Sequence, residues 1–307
     1  WVERWWRVPF FLKRPLTLQG SLNDERQQIL MECNIPQFIY DGSRYDNARI
    51  SILSPINTLQ YDVSITKHSD EGNDLDLQVM GSVHNDQLTA TLQWADHAEE
   101  RTSGHLTAMA YFDSSFDKTQ TAYIKVAQSQ MIIKNTPWEV LPATITYANK
   151  NLNVPGFSIR HGQQFLTLDG TASENSQDSI NVNMRDIDIE YVLDLINFDA
   201  VSFSGKATGG GALRGVFGEL EADAKLLVRD FQFEHGRMGD LDANVTWNKE
   251  AEQIDIQAIA DDGPTAKTLI NGYVSPKRNY IDLDIKAEGT SLDFAQSFTS
   301  TFIDHIR

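Results

Sequence analysis

The chain has very little cysteine: Cys33 is the only one in 307 residues. No disulfide can therefore form within it, and cysteine usage says nothing of its compartment. It also lacks any run near the roughly 18 consecutive apolar residues of a membrane-spanning helix, so it reads as soluble. Opening on Trp1 without a charged-then-apolar signal segment, it reads as an excised piece of a longer protein whose targeting sequence lies upstream. Basic residues are scarce, with 26 Lys and Arg against 43 Asp and Glu, a net charge of −17. Phosphate backbones would be repelled, which excludes a general nucleic-acid-binding surface.

The usual constellations of chemistry are missing as well. The histidines at 68, 84, 97, 105, 161, 235 and 305 are dispersed, with no His-x-x-x-His or Cys-x-x-Cys spacing for zinc. Gly209-Gly210-Gly211 is not followed by Gly-Lys-Ser/Thr and reads as a flexible turn rather than a phosphate cradle. Neither Asp240-Leu241-Asp242 nor Asp261-Asp262-Gly263 fits a calcium loop, and no Gly-x-Ser-x-Gly elbow occurs. Acidic pairs for glycoside hydrolysis are inevitable among so many carboxylates and carry no specificity. The expectation is a noncatalytic protein without metal or cofactor.

What the sequence does have is alternation. Apolar and polar residues exchange places with period 2 over most of the length, the pattern of strands with one dry and one wet face. Leu18, Gly20 and Leu22 precede a turn at Asn23-Asp24-Glu25-Arg26, and Ile29, Met31, Cys33 and Ile35 follow it. The same hairpin returns with Leu77, Val79, Gly81 and Val83 before Leu88, Ala90, Leu92 and Trp94, and with Leu166, Leu168, Gly170 and Ala172 before Ile180, Val182 and Met184. A looser copy runs Val201, Phe203, Gly205, Ala207, then Ala222, Ala224, Leu226, Val228. A last one sets Ile270, Gly272 and Val274 before Ile281, Leu283, Ile285 and Ala287, with a turn at Ser275–Asn279 between.

The unit thus recurs about five times at irregular spacing, which excludes a fixed-period solenoid. In each copy the glycine shares the apolar face, where a missing Cβ lets a sheet bend or another backbone approach. Two segments have helical spacing instead: Asp188–Ile196, and Ser291–Ile306 with Phe294, Phe298 and Phe302 on one face. The aromatic and basic opening, Trp1 to Arg14, reads as a strand and loop truncated from their neighbours, with contact to lipid headgroups or anionic partners as the alternative.

The fold class expected is all-β: an elongated, curved antiparallel sheet forming an open hydrophobic trough, with one or two short helices. An N-terminal hairpin array over 1–150 and a C-terminal array over 151–307, continuous with the first, would make it up. The residues expected to line the trough are Leu18, Leu22, Ile29, Met31, Val79, Val83, Leu88, Leu92, Trp94, Leu168, Ile180, Val182, Met184, Phe203, Leu226, Val245, Ile256, Ile270, Val274, Ile281, Leu283 and Ile285. Of these, Met31, Met184, Trp94 and Phe203 would supply adaptable or bulky walls. A closed β-sandwich with a sealed core is the competing arrangement.

The stretch from Trp138 to Trp247 resembles the TamB proteins of Gram-negative bacteria, in the AsmA-like group, and is most similar to the Bacteroidetes branch. The resemblance is carried by Trp138-Glu139-Val140, Leu152-Asn153-Val154, Phe157-Ser158-Ile159 and Leu166-Thr167-Leu168-Asp169-Gly170-Thr171-Ala172-Ser173. Phe203-Ser204-Gly205, Leu213-Arg214-Gly215, Asp230-Phe231-Gln232-Phe233, Met238-Gly239-Asp240-Leu241 and Trp247-Asn248 continue it, and Ile35–Gly42 with Asp46-Asn47-Ala48 adds to it upstream. The family's N-terminal membrane anchor is absent from this stretch.

The resemblance implies a β-taco, dry inside and polar outside, in the periplasm and anchored to the inner membrane in the full-length protein. It implies carriage of phospholipid, or another acyl-chain lipid, between the inner and outer membranes in support of outer-membrane biogenesis. The alternative it implies is a scaffold or chaperone for outer-membrane proteins with a barrel partner of TamA or BamA type.

Overall fold

The computed structural model describes residues 10–26, 28–40, 42–54, 57–69, 73–114, 120–195, 198, 200–234, 236–263 and 266–289. The expected helix over Ser291–Ile306 and the segment Trp1–Arg7 lie outside them. Two compact units are distinguished, Trp1–Asn149 and Lys150–Arg307. Both are antiparallel β throughout, so the all-β expectation holds.

The first unit carries β1 (Phe10–Leu12), β2 (Thr17–Asn23), β3 (Gln28–Tyr40), β4 (Ser43–Leu53), β5 (Leu59–Lys67), β6 (Leu75–His84) and β7 (Gln87–Asp96). Then come β8 (Ser103–Ser114), β9 (Gln120–Val126), β10 (Ser129–Ile133), β11 (Thr136–Val140) and β12 (Ala143–Ala148). From β2 to β9 each strand pairs with the next, and β12 closes against β9. Two-residue turns with left-handed backbones, such as Asn85-Asp86 and Lys134-Asn135, make the tight reversals.

The second unit carries β13 (Asn151–His161), β14 (Gln164–Ala172), β15 (Ser179–Asp188), β16 (Phe203–Arg214), β17 (Glu221–Phe233) and β18 (Gly236–Asn248). It ends with β19 (Gln253–Asp261), β20 (Lys267–Ser275) and β21 (Tyr280–Glu288), each strand again paired with its successor. One helix, α1 (Ile189–Leu195), follows β15 as the spacing over Asp188–Ile196 predicts. The Ser275–Asn279 reversal contains a 3-10 turn at Pro276–Arg278, closed by Asn279 in the left-handed region.

One reading is corrected. Gly209-Gly210-Gly211 is not a turn but the middle of β16, paired on both sides. Gly209 and Gly211 take the places of large side chains on the apolar face: Gly209 stands between Met184 and Leu226, and Gly211 between Val182 and Ala224. A run of glycines is read as a turn from composition alone because glycine weakens a strand. Here the flanking strands supply the apolar bulk.

Candidate functional site

Register decides whether separate hairpins share one face, because a slip of one residue would turn every side chain over. In the first unit the pairings align Leu18, Cys33, Ile50, Val63, Val79, Leu92 and Leu106, one from each strand from β2 to β8. A neighbouring row runs Gly20, Met31, Ile52, Tyr61, Gly81, Ala90, Ala108, Val126 and Ala143. Val83 and Leu88 pair within a third, Leu22 pairs with Ile29, and Trp94 pairs with Leu77 and lies over Gly104.

The opposite face is polar. Its row Asn34, Arg49, Ser64, Gln78, Gln93, His105 is laced by bonds such as Gln78 Nε2 to Asp62 at 2.9 Å.

The second unit repeats this over its whole width. Phe157, Leu168, Val182, Gly211, Ala224, Val245, Ile256, Gly272 and Leu283 form one row that takes a residue from every strand from β13 to β21. A parallel row takes Ile159, Leu166, Met184, Gly209, Leu226, Ala243, Ala258, Ile270 and Ile285. Val274 and Ile281 pair beside them, and Ile180 pairs with Gly170.

The two ends of these strands differ. At the end where β17 meets β18, Ala207, Val228, Phe231, Phe233, Met238, Leu241 and Ala260 are buried in one cluster. Phe203, expected as a wall of the open trough, belongs to this cluster instead: its ring stacks 5.3 Å from Phe233 and 6.0 Å from Phe231, with Phe198 at 6.4 Å. Helix α1 packs on β15 and β16 at the same end.

Along the middle of the strands the apolar face is only partly covered. Leu168, Val182, Met184, Leu226, Val245, Ile256, Leu283 and Ile285 are only half-buried. Ile270, inside the cluster, and Ile180 and Val274, at the opposite end of the strands, are fully buried, so these three line no open track. In the first unit the face is wetter still. Met31, Val79, Leu88, Leu92 and Trp94 are half-buried, and Leu18 and Leu22 are 62% and 77% exposed, with Ile29 and Val83 exposed too.

Half of the residues in the first unit's two rows lie outside those expected from sequence. Ile50, Ile52, Val63, Leu106 and Val126 alternate as clearly as their neighbours, yet they sit outside the glycine-centred units. The signal that finds them is the plain period-2 pattern in Ile50-Ser51-Ile52 and Val63-Ser64-Ile65. The sealing cluster escaped for another reason: Phe231, Phe233 and Met238 lie past a bulge that shifts the register between Val228 and Phe231.

What this arrangement offers chemically is partly uncovered apolar surface. Among the described residues no group of three or more His, Cys, Asp or Glu side chains is placed to hold a metal. Nor is any described helix long and apolar enough to cross a membrane. A depression of about 630 Å³ in the first unit is lined by Arg49, Gln78, Gln93 and His105 together with Ile65, Leu77 and Trp94. Compared with protein-family models, curated proteins and solved structures, the chain matches none of them.

Proposed function

We propose that this chain is a noncatalytic conduit whose apolar faces carry phospholipid acyl chains, acting in the periplasm between inner and outer membranes. One observation carries the reading: the row from Phe157 to Leu283 takes an apolar or glycine residue from every strand of its unit yet is half-open along most of its length. A face built only for packing would be sealed, as the Phe231 end is. The membranes and the compartment rest on the resemblance to TamB proteins alone.

Each methylene removed from water contributes about 0.8 kcal/mol, so one acyl chain of about 16 carbons gains on the order of 10 kcal/mol in such a track. A bilayer offers a similar gain. Movement from one to the other is then nearly isoenergetic, provided that no charged side chain interrupts the track.

Organic extracts of the purified chain, analysed by mass spectrometry, test the reading. Phospholipid near one per chain is the expected result, and lipid-free protein from a lipid-replete host overturns it.

A second reading has its own support. Every residue of β2 is exposed, and its outer edge carries no partner strand among the described residues. Such an edge accepts an added strand, which suits a scaffold for outer-membrane proteins working with a barrel of TamA or BamA type. Crosslinks from β2 to barrel strands, with no copurified lipid, would favour it.

A further inference from the structure

The polar face of the first unit is hollowed. The depression of about 630 Å³ follows the row Arg49, Ser64, Gln78, Gln93, His105 and the row beside it that runs from Thr66 to Ser103. Ile65, Leu77 and Trp94 lie between the two rows, so strand alternation turns their side chains to the apolar face. Ser64, Thr66, Ala95 and Ser103 are short and leave the space, whereas Arg49, Gln93 and His105 are longer and stand exposed around it. From β4 to β8 the hollow crosses four interstrand spacings, about 19 Å. Its volume is that of a small-ligand site.

Beside the hollow this face spends its hydrogen bonds on itself: Ser82 meets Thr89 at 2.9 Å, Thr91 meets Thr107 at 3.0 Å, and Gln78 Nε2 donates to Asp62. Inside it, the side chains of Ser64, Gln93, Ser103 and His105 bond none of the described residues. Ser103 is only 9% exposed, and a polar side chain so covered is normally satisfied. Arg49 and Arg101, both in the lining, have no carboxylate partner among the described residues; Arg49 reaches only Asn34 Oδ1, at 3.4 Å. Asp76 in the lining and Asp62 beside Gln78 offset the two guanidiniums. The hollow therefore gathers unspent donors and acceptors with little net charge.

We infer that this hollow binds a short neutral oligosaccharide. Amide, guanidinium, carboxylate and imidazole groups are planar and set donors and acceptors side by side, which matches neighbouring hydroxyls on a sugar ring. A peptide suits the hollow less, because β4 to β8 are each paired on both sides and leave no edge for an added strand. A polyacid would meet Asp62 and Asp76 in a chain of net charge −17. Trp94 faces away, so no ring from it stacks on the sugar and the affinity is set by hydrogen bonds exposed to water. The hollow lies on the face opposite the apolar rows, so this binding is independent of the conduit.

Saturation-transfer NMR on the full chain tests it with three neutral trisaccharides, cellotriose, maltotriose and triacetylchitotriose, and with the acidic trigalacturonate as contrast. At least one neutral probe is expected to bind with a Kd of about 1 mM, the strength of a few exposed hydrogen bonds. The double variant Gln93→Ala, His105→Ala should weaken it about tenfold, the loss of two such bonds. Both positions are exposed, so the fold should persist, as circular dichroism checks. Gln87→Ala, on the same face but outside the hollow, should leave binding unchanged. Binding of none of the neutral probes, undiminished binding in the double variant, an equal loss in Gln87→Ala, or tighter binding of trigalacturonate would each overturn the assignment.

Discussion

Gly272 stands directly opposite Leu283 in the β20–β21 pair, and a methyl group built on Gly272 would lie 2.0 Å from the carbonyl oxygen of Asp282. Its φ of +152° adds backbone strain for any L side chain. The same contact recurs at Gly81, whose Cβ would fall 1.9 Å from the Thr89 oxygen. These glycines are where one strand's backbone closes over the next on the apolar face. Gly272→Val should destabilise the second unit by about 2–3 kcal/mol, since the obstruction is backbone that cannot swing aside. Gly218→Ala, in open space at a turn, should change stability by less than about 0.5 kcal/mol. Urea midpoints of the two variants check the contrast, and equal midpoints would sink it.

The sealed and half-open parts of the second unit should respond differently to truncation. Phe231 is 3% exposed inside the aromatic cluster, so Phe231→Ala should cost about 3–5 kcal/mol through lost burial and the cavity left behind. Leu168 is half-buried in the open row, and Leu168→Ala should cost about 1–2 kcal/mol because much of its surface already meets solvent. Equal losses in chemical denaturation would mean that the Leu168 row is packed shut.

Much of this was legible in the residues. Strand type and face follow from period 2, so Leu18, Gly20 and Leu22 sit opposite Cys33, Met31 and Ile29 as the hairpin pattern requires. Helix α1 follows from the spacing of Ile189, Val192 and Leu193. Left-handed turn residues and bulges are not visible in such a pattern. The extra residue at the shift opposite Ser204 and Lys206 lies on β17, so Phe203 keeps the face of Ala207 and joins it in the cluster rather than on an open wall. Long-range register also decides which apolar residues end half-open, and no local period encodes it. Ile259 and Leu269 make the point: they pair on the polar face and remain 48% and 45% exposed.

Acid should loosen the first unit in a defined window. Partial burial pushes the Asp46 carboxyl up, but hydrogen bonds from Arg44 and Gln37 and the Arg44 charge outweigh it and hold the group below its ordinary 3.8. The Arg44 contact is 2.7 Å. The folded chain thus takes up this proton less readily than the unfolded one, so the stabilisation is complete above about pH 4 and disappears as pH falls through the lowered value. Asp74 acts in the same direction, chiefly through the Ser69 N–H. Asp46→Asn should lower the urea midpoint at pH 6 and flatten its decline between pH 4 and 2. A decline as steep as that of the parent protein would place the acid sensitivity elsewhere.

Cys33 offers a native probe of the first unit, because the only thiol lies in the apolar row between Leu18 and Ile50 and is partly accessible. An acyl chain on that row would cover it. Maleimide labelling of the lipid-loaded protein should be slower than that of the delipidated protein by about tenfold, the loss expected if the open state falls to a tenth. Indistinguishable rates would show that hydrocarbon does not rest on this row.

The sharpest demand on the conduit is continuity. Val182 stands between Leu168 and Gly211, and Leu283 stands opposite Gly272 in the same row. Arginine at either position would put a guanidinium onto the dry track, where its charge must stay hydrated or find a partner. Both native side chains are half-buried, so the arginine can reach toward solvent and the fold should survive, as circular dichroism would confirm. The bound chain loses both contact and dryness at that step. Val182→Arg and Leu283→Arg should each lower copurified lipid by about tenfold or more, the equivalent of one unfavourable step of 1.4 kcal/mol. Glutamine at the same positions, similar in reach but uncharged, should retain more lipid than arginine. If folded arginine variants bind as much lipid as the parent, hydrocarbon does not travel along the Phe157–Leu283 row.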